Sequence, residues 1–137
     1  MIQQQTNVKG INCIYLPATD IKEAANWYIN NLNLELLNEV NETSTQAQLK
    51  INSHQTIFLI KTENSQNLTY TEVEGHEQCI ITLEVTNIYE LHEKLKDNNL
   101  IGEIIDNDEC GLSFFVKDPD GNLIDIWGGW DKLKSNK

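Results

Sequence analysis

The residues of this chain best suited to chemistry are its three cysteines and three histidines. The cysteines form no Cys-x-x-Cys pattern, standing at Cys13, Cys79 and Cys110. An odd number of unpatterned cysteines indicates neither a disulfide framework nor a zinc knuckle, so we interpret them as reduced thiols in a cytoplasmic protein. The sequence has no Gly-x-Ser-x-Gly motif, no P-loop and no dinucleotide fingerprint, and so lacks the common signatures of nucleophilic and nucleotide-dependent enzymes.

The histidines offer metal ligands or general bases near neutral pH. His54 falls in a predicted turn and His92 on the polar side of a predicted helix, so we expect both to be solvated. His76 begins a predicted strand four residues before Ile80, and both side chains share one face if the strand extends that far. There His76 would act as a ligand or base, and otherwise it is a solvated histidine.

The charge of the chain limits its partners. Its 137 residues carry a formal net charge of −11, and the basic tail is short, at Lys132, Lys134 and Lys137. Such a charge repels a phosphate backbone, so we expect no nucleic-acid partner. The N-terminus is polar and no run of about 18 apolar residues could span a bilayer, so we expect a soluble protein with no membrane partner. The acidic surface either maintains solubility or favours a cationic ligand.

The elements that must position these residues follow one order in the first half of the chain. A strand is predicted over 11–18, then an amphipathic helix with its apolar stripe from Ile21 to Leu32. Asp20 caps this helix and Asn33 ends it. Further strands are predicted over 34–40, 45–51 and 55–61. The polar stretch that follows is typical of a linker. This gives a first module at about 8–62 and a linker at 63–75.

The second half repeats that order. Its helix is capped by Asn87, and its strands are predicted over 78–85, 100–105, 111–117 and 122–127. Thr19-Asp20-Ile21 aligns with Thr86-Asn87-Ile88 at an offset of 67 residues, which also lays the apolar run 57–60 on 124–127. We therefore interpret the chain as an internal duplication. A second module at about 76–130 and a polar tail at 131–137 complete a single domain over 1–137.

Two segments, one near each end, carry a distinctive order of residue types. The opening segment 11–21 is followed by Trp27-Tyr28 and Leu32-Asn33, and the closing Asp118-Pro119-Asp120-Gly121-Asn122 is followed by the acidic Asp125. Both resemble the vicinal oxygen chelate superfamily, which includes glyoxalase I, the bleomycin resistance proteins and ring-opening dioxygenases. The resemblance implies an α+β fold of two βαβββ modules, whose curled, mostly antiparallel sheets form a cup for a metal or a small molecule. It also implies a homodimer.

In metal-dependent members of this superfamily, the first and last strands of each module supply one ligand each. The resemblance and the 67-residue offset place these positions at Cys13, Phe58, Ile80 and Asp125. A divalent ion of this kind needs several oxygen or imidazole donors, and Asp125 alone supplies one. We therefore predict no cofactor and a degenerate metal site. The alternative is a divalent metal held by Cys13, His76 and Asp125.

The same strands predict a ligand-binding cup. Strand alternation and the resemblance give its lining as Cys13, Tyr15, Phe58, Ile80, Phe114, Asp125 and Trp127. Among apolar residues Asp125 would have a raised pKa and would act as a base or hold a cationic group, unless a neighbouring donor satisfies it. The leading hypothesis is a small-molecule-binding protein of the bleomycin-resistance type, favoured over an enzyme. The alternatives are a metal-dependent glyoxalase-like lyase or dioxygenase, with Asp125 catalytic, and a structural dimer without a ligand.

Overall fold

Ten strands and two helices make up the part of the chain that the computed structural model describes, residues 7–130. The first module has β1 (Cys13–Ala18), α1 (Ile21–Leu32), β2 (Glu35–Leu36), β3 (Gln46–Asn52) and β4 (Gln55–Lys61). A ribbon follows, made of β5 (Thr69–Thr71) and β6 (Glu77–Cys79). The second module has β7 (Thr82–Glu84), α2 (Ile88–Leu95), β8 (Ile105–Asp106), a 3₁₀ turn (Asp108–Cys110), β9 (Leu112–Lys117) and β10 (Leu123–Trp127). The predicted polar tail and its lysines lie outside the described residues.

Helix α1 begins and ends where its sequence predicts. The Asp20 carboxylate accepts a hydrogen bond from the Glu23 backbone N–H at 3.0 Å, and Asn33 closes the last turn in the left-handed conformation, with a φ of 57°. The start of α2 differs, because Asn87 has a φ of 51° and its side chain makes no capping hydrogen bond. The predicted side-chain cap at Asn87 is therefore wrong. In residues 7–130, neither helix is long and apolar enough to cross a membrane.

Each module forms one four-stranded sheet, and the two sheets have the same topology. The strand orders are β1-β4-β3-β2 and β7-β10-β9-β8, in which the first pair is parallel and the other pairs are antiparallel. Tyr15 lies opposite Phe58 in the first sheet, and Thr82 lies opposite Asp125 in the second. Both positions of the second pair are those of the first shifted by 67 residues. The register therefore agrees with the duplication, and the α+β fold of two βαβββ modules is confirmed.

The boundaries between elements differ from the predicted ones in two ways. The expected linker at 63–75 contains β5, and the expected strand at 78–85 is interrupted between β6, which pairs with β5, and β7, which pairs with β10. Short polar strands such as β5 lack an apolar period, so their sequence does not reveal them. The outer strands are also shorter than predicted: β2 has two residues, and near Ile101 there is an isolated bridge before β8. Just after β2, the Asn38 side-chain oxygen accepts a hydrogen bond from the Gln48 backbone N–H at 2.7 Å. This side-chain hydrogen bond takes the place of a backbone hydrogen bond between the strands.

One apolar core joins the two modules. Its buried residues come from α1, α2 and one face of each sheet, among them Tyr28, Leu59, Phe114 and Ile126. Because side chains alternate along a strand, the other face of each sheet is turned away from this core. Most residues of those outward faces are half-buried or exposed, as Tyr15 is at 60 %, and Ser113 is a buried exception. The outward faces are therefore where a ligand can bind.

Candidate ligand-binding site

An open cavity lies on the outward face of the second sheet. Along β10, Ile124 and Ile126 are buried in the core, so the alternate residues Asp125 and Trp127 face the cavity. The cavity is lined by Thr82, Ile105, Asn107, Cys110, Ser113, Phe115, Asp125, Trp127 and Trp130. Its volume is about 430 Å³, which lies within the range of pockets that bind small molecules.

Asp125 is the carboxylate of this cavity. Its Oδ2 accepts a hydrogen bond from the Thr82 hydroxyl at 2.8 Å, whereas its Oδ1 is buried and has no hydrogen-bond partner within residues 7–130. Burial raises the pKa of the Asp125 carboxyl above its usual range, and the Thr82 hydrogen bond lowers it only in part. A buried acceptor without a donor is unfavourable, so the ionised Asp125 carboxylate is incompletely compensated by its hydrogen bond from Thr82.

Cys79 lies beside Asp125 but is poorly suited to act as a nucleophile. Its side chain is buried. Burial raises the pKa of the Cys79 thiol, and the negative charge of Asp125 raises it further. Because the thiolate is the reactive and metal-binding form, Cys79 behaves near neutral pH as a small apolar residue.

Three aromatic rings form much of the cavity wall. Phe115 lies directly opposite Asp125 in the register of β9 and β10. The Trp127 Nε1 donates a hydrogen bond to the Cys110 carbonyl at 2.6 Å, and the Trp127 ring packs edge-on against Trp130 with centroids 4.9 Å apart. These two contacts hold Trp127 in place on the same face of β10 as the carboxylate.

The structure brings two of the predicted lining residues, Asp125 and Trp127, into this cavity. Phe114 is not there, because it is fully buried and packs edge-on against the ring of His92, with centroids 4.9 Å apart. The prediction for Phe114 is wrong by one residue, which turns a strand side chain to the opposite face, and Phe115 lines the cavity instead. His92 is half-buried rather than solvated as expected.

Seven of the nine lining residues were missed by the sequence-based prediction, and two of them, Thr82 and Phe115, flank Asp125 on neighbouring strands. Both carry a signal in the sequence. The 67-residue offset lays Thr82 on Tyr15, which was itself assigned to the cup. Antiparallel pairing around the turn at 118–121 sets Phe115 opposite Asp125. Applying both relations together would have found the two residues.

The predicted lining residues of the first module lie on a different surface. The Tyr15 ring stacks on Phe58 with centroids 5.5 Å apart, on the outward face of the first sheet. Cys13 lies on the same face, and its hydrogen bonding and charge raise the pKa of the Tyr15 hydroxyl. Ile80 lies at the strand interruption and is 47 % exposed. None of these four residues lines the cavity around Asp125.

The four expected ligand positions do not fit a metal of the type that the resemblance implies. Asp125 supplies carboxylate oxygens and Cys13 supplies a thiol from the other sheet, whereas Phe58 and Ile80 have no donor atom in their side chains. An oxygen-ligated divalent ion needs several donors converging on one point. These four positions do not supply the further donor atoms that an ion beside Asp125 would need.

His76 does not complete the site either. Its side chain is 76 % exposed, and its Nδ1 lies 3.3 Å from the Glu72 carboxylate, in the hairpin between β5 and β6. In residues 7–130, one group of three His, Cys, Asp or Glu side chains has its ligand atoms within 4.8 Å of one another, and that group is Glu72, Glu74 and His76. The alternative set of Cys13, His76 and Asp125 is not such a group in one chain.

Comparisons with known proteins identify the fold and the family of this chain. No curated protein sequence matches the chain. A lactoylglutathione lyase structure from Agrobacterium tumefaciens is 17 % identical, with 93 % of this chain and 98 % of that chain covered and a TM-score of 0.68. A bleomycin-binding protein from Streptomyces verticillus, in complex with copper(II)-bleomycin, is 16 % identical, with 92 % and 99 % covered and a TM-score of 0.60. A fosfomycin resistance protein from Listeria monocytogenes is 17 % identical, with 89 % and 92 % covered and a TM-score of 0.68.

At these identities the likeness to solved structures concerns the fold alone. The family is established by the sequence, because the family profile described as Glyoxalase/Bleomycin resistance protein/Dioxygenase superfamily matches residues 10–126. That range contains both segments that carry the resemblance, the opening strand and helix and the closing hairpin. The chain belongs to the Glyoxalase/Bleomycin resistance protein/Dioxygenase superfamily.

Proposed function

We propose that this protein binds an organic small molecule in the cavity around Asp125, and that it does so without a metal. The observation that carries the proposal is the composition of the cavity, which combines three aromatic rings with one carboxylate whose buried Oδ1 is unpaired within residues 7–130. Small-molecule pockets have mostly apolar and aromatic walls with a few placed polar groups. Binding a ligand without chemically changing it requires only such walls and polar groups.

A fold does not fix a function, so the proposal rests on the cavity and not on the relatives. The bleomycin-binding protein of Streptomyces verticillus nevertheless has the same fold and, by its name, binds a small molecule. Cytoplasmic binding is part of the proposal, because the free cysteines of the described chain suit a reducing compartment, at Cys13, Cys79 and Cys110.

The working form we propose is a homodimer. The cavity is lined by second-module residues, while the outward face of the first module carries the stacked pair Tyr15 and Phe58. In a dimer that sets the first module of one chain against the second module of the other, this ring pair would help to close the cup over Asp125. The sheet edges would be covered as well.

Light scattering at micromolar concentration tests the dimer. We expect the mass of two chains, and we expect Tyr15→Ser to shift it towards one chain. Tyr70→Ser is the matched control, because Tyr70 is similarly exposed, at 57 %, but lies on the ribbon strand β5. A mass of one chain for the unchanged protein would contradict the proposal.

The competing proposal is a metal-dependent glyoxalase-like lyase or dioxygenase. The observation that favours it is the Asp125 carboxylate on the cavity wall, whose negative charge also suits a metal cation. Its other ligands, Cys13 and His76, would have to come from a second chain, because in one chain they do not form a group with Asp125.

Elemental analysis, followed by calorimetry with Mn²⁺, Fe²⁺, Ni²⁺ and Zn²⁺, separates the two proposals. For a metal-free binder we expect no binding above background, and Asp125→Ala should change the affinity for small molecules but not the metal content. Tight, near-stoichiometric binding of one ion that disappears in Asp125→Ala would refute the metal-free binder and support the enzyme.

A further inference from the structure

We propose that the cavity selects a ligand with a protonated amine next to an aromatic or apolar body, and that the amine donates an N–H hydrogen bond to the Asp125 carboxylate. The inference rests on the proposed function, because it names the chemical class of the ligand for the same cavity. It is argued from the hydrogen-bond partners of the cavity wall, from its rings and from its charge.

Three hydrogen-bond donors of the wall are directed at acceptors other than Asp125 Oδ1. The Thr82 hydroxyl donates to Asp125 Oδ2 at 2.8 Å, and the Trp127 Nε1 donates to the Cys110 carbonyl at 2.6 Å. The Asn107 amide donates to the Ser113 hydroxyl at 2.9 Å. A carboxylate oxygen buried without a donor carries a desolvation penalty that a hydrogen bond relieves. Because Oδ1 has almost no accessible surface, a ligand meets the carboxylate through Oδ2, which can accept a second hydrogen bond beside that of Thr82.

The aromatic rings favour a donor that carries positive charge. Phe115 lies directly opposite Asp125 in the sheet, and Trp127 lies two residues further along the same face of β10. The face of an aromatic ring attracts a cation, and this attraction adds to that of a carboxylate. Phe115 and Trp127 therefore stabilise the same ammonium group that contacts the Asp125 carboxylate.

The charge of the cavity wall and of the whole chain also favours a cationic ligand. None of the described residues that line the cavity is a lysine, an arginine or a histidine. The whole chain has a formal net charge of −11, which favours the approach of cations over anions. An anionic ligand would meet the Asp125 carboxylate with no cationic partner on the wall, so the cavity disfavours it.

The requirement for an N–H donor separates two kinds of cation. A primary or secondary ammonium provides both charge and a donor, whereas a quaternary ammonium provides charge alone. A neutral alcohol of the same shape donates an O–H without charge. Three matched probes therefore distinguish the contributions: 2-(2-naphthyl)ethylamine, its trimethylammonium derivative and the corresponding alcohol. A naphthyl group is small enough for a cavity of about 430 Å³.

Calorimetry of the full chain with these three probes near neutral pH is the test. We expect the amine to bind at least about tenfold more tightly than the alcohol, which corresponds to the strength of a hydrogen bond to a charged group. The trimethylammonium probe should lie between them. Asp125→Asn should remove the preference for the amine and leave the affinity for the alcohol nearly unchanged. Asp97→Asn is the control, because it removes the same charge from an exposed loop residue.

The outcomes distinguish this inference from the proposed function. Binding of the alcohol as tight as that of the amine would overturn the inference and leave small-molecule binding intact. Equal affinity for the amine and the trimethylammonium probe would overturn the N–H hydrogen bond to the Asp125 carboxylate. Binding of none of the three probes at millimolar concentration would count against both proposals.

Discussion

The hydrogen bond between Tyr28 and Asp118 gives the sharpest test of how the two modules are held together. Tyr28 lies on α1 of the first module, and its hydroxyl donates to Asp118 Oδ2 at 2.6 Å in the turn between β9 and β10. Both residues are buried. Burial, followed by the charge of Asp118, raises the pKa of Tyr28 well above its usual range, so the hydroxyl stays protonated and remains a donor. Tyr28→Phe removes this hydroxyl and keeps the ring.

The expected loss follows from what Asp118 retains. Its Oδ1 accepts the backbone N–H groups of Asp120 and Asn122, and its Oδ2 still accepts the Asn122 amide at 2.8 Å. In the variant, the Asp118 carboxylate keeps these three hydrogen bonds and loses one. The free energy of unfolding should therefore decrease by the contribution of one hydrogen bond to a charged group, about 2 kcal/mol. For a domain of this size that corresponds to a decrease of roughly 8 °C in Tm.

Urea unfolding followed by tryptophan fluorescence measures this loss. We expect a lower midpoint at an unchanged m-value, because the surface exposed on unfolding stays the same. Tyr70→Phe is the control, since Tyr70 is 57 % exposed on β5 and should change the free energy of unfolding by less than about 0.5 kcal/mol. A change that small in Tyr28→Phe would refute the role of this hydrogen bond in joining the modules.

Three further predictions concern the cavity. Burial raises the pKa of Asp125, so the stability that its protonated form contributes is lost as the pH rises through that pKa. Asp125→Asn should therefore have a higher Tm than the unchanged protein at pH 7, and the difference should shrink as the pH falls through the raised pKa. Gly111→Ala should destabilise the protein by about 2 kcal/mol or more, measured by urea unfolding, because Gly111 has a φ of 80° and a Cβ there would collide with the Gly129 carbonyl oxygen. Phe115→Leu should weaken binding of the naphthyl amine about threefold, measured by calorimetry, through loss of the ring beside the ammonium.

The sequence predicts the parts of the fold that depend on apolar periodicity. Helix α1 has a complete apolar stripe and a capping residue at each end, and both of its ends lie where Asp20 and Asn33 indicate. Strands β4 and β10 are mostly apolar, with Asp125 interrupting β10, and both lie within the ranges that the sequence predicts for strands. These elements are set by local sequence and by burial of one face, which a single sequence records.

The predictions of strand ends and of side-chain direction fail where the structure depends on which strands pair with each other. Nothing in the local sequence stops a strand at Ile80, which lies between a segment that pairs with β5 and one that pairs with β10. Phe114 and Phe115 are adjacent and identical in type, so composition cannot tell which one faces the core. Their assignment requires the register with β10, which follows from the turn at 118–121.

The two halves of the duplication differ most at the position that matters for binding. Where the first module stacks Tyr15 on Phe58, the second has Thr82 donating to Asp125 at the equivalent pair of positions. A symmetric cup made of two identical halves would present the same groups from both sides. The divergence instead gives a first-module pair that is purely aromatic and a second-module pair that places a carboxylate among aromatic rings. Such an asymmetric site suits a ligand with a polar, cationic end and an apolar end, which is the kind of molecule that the probe experiment tests.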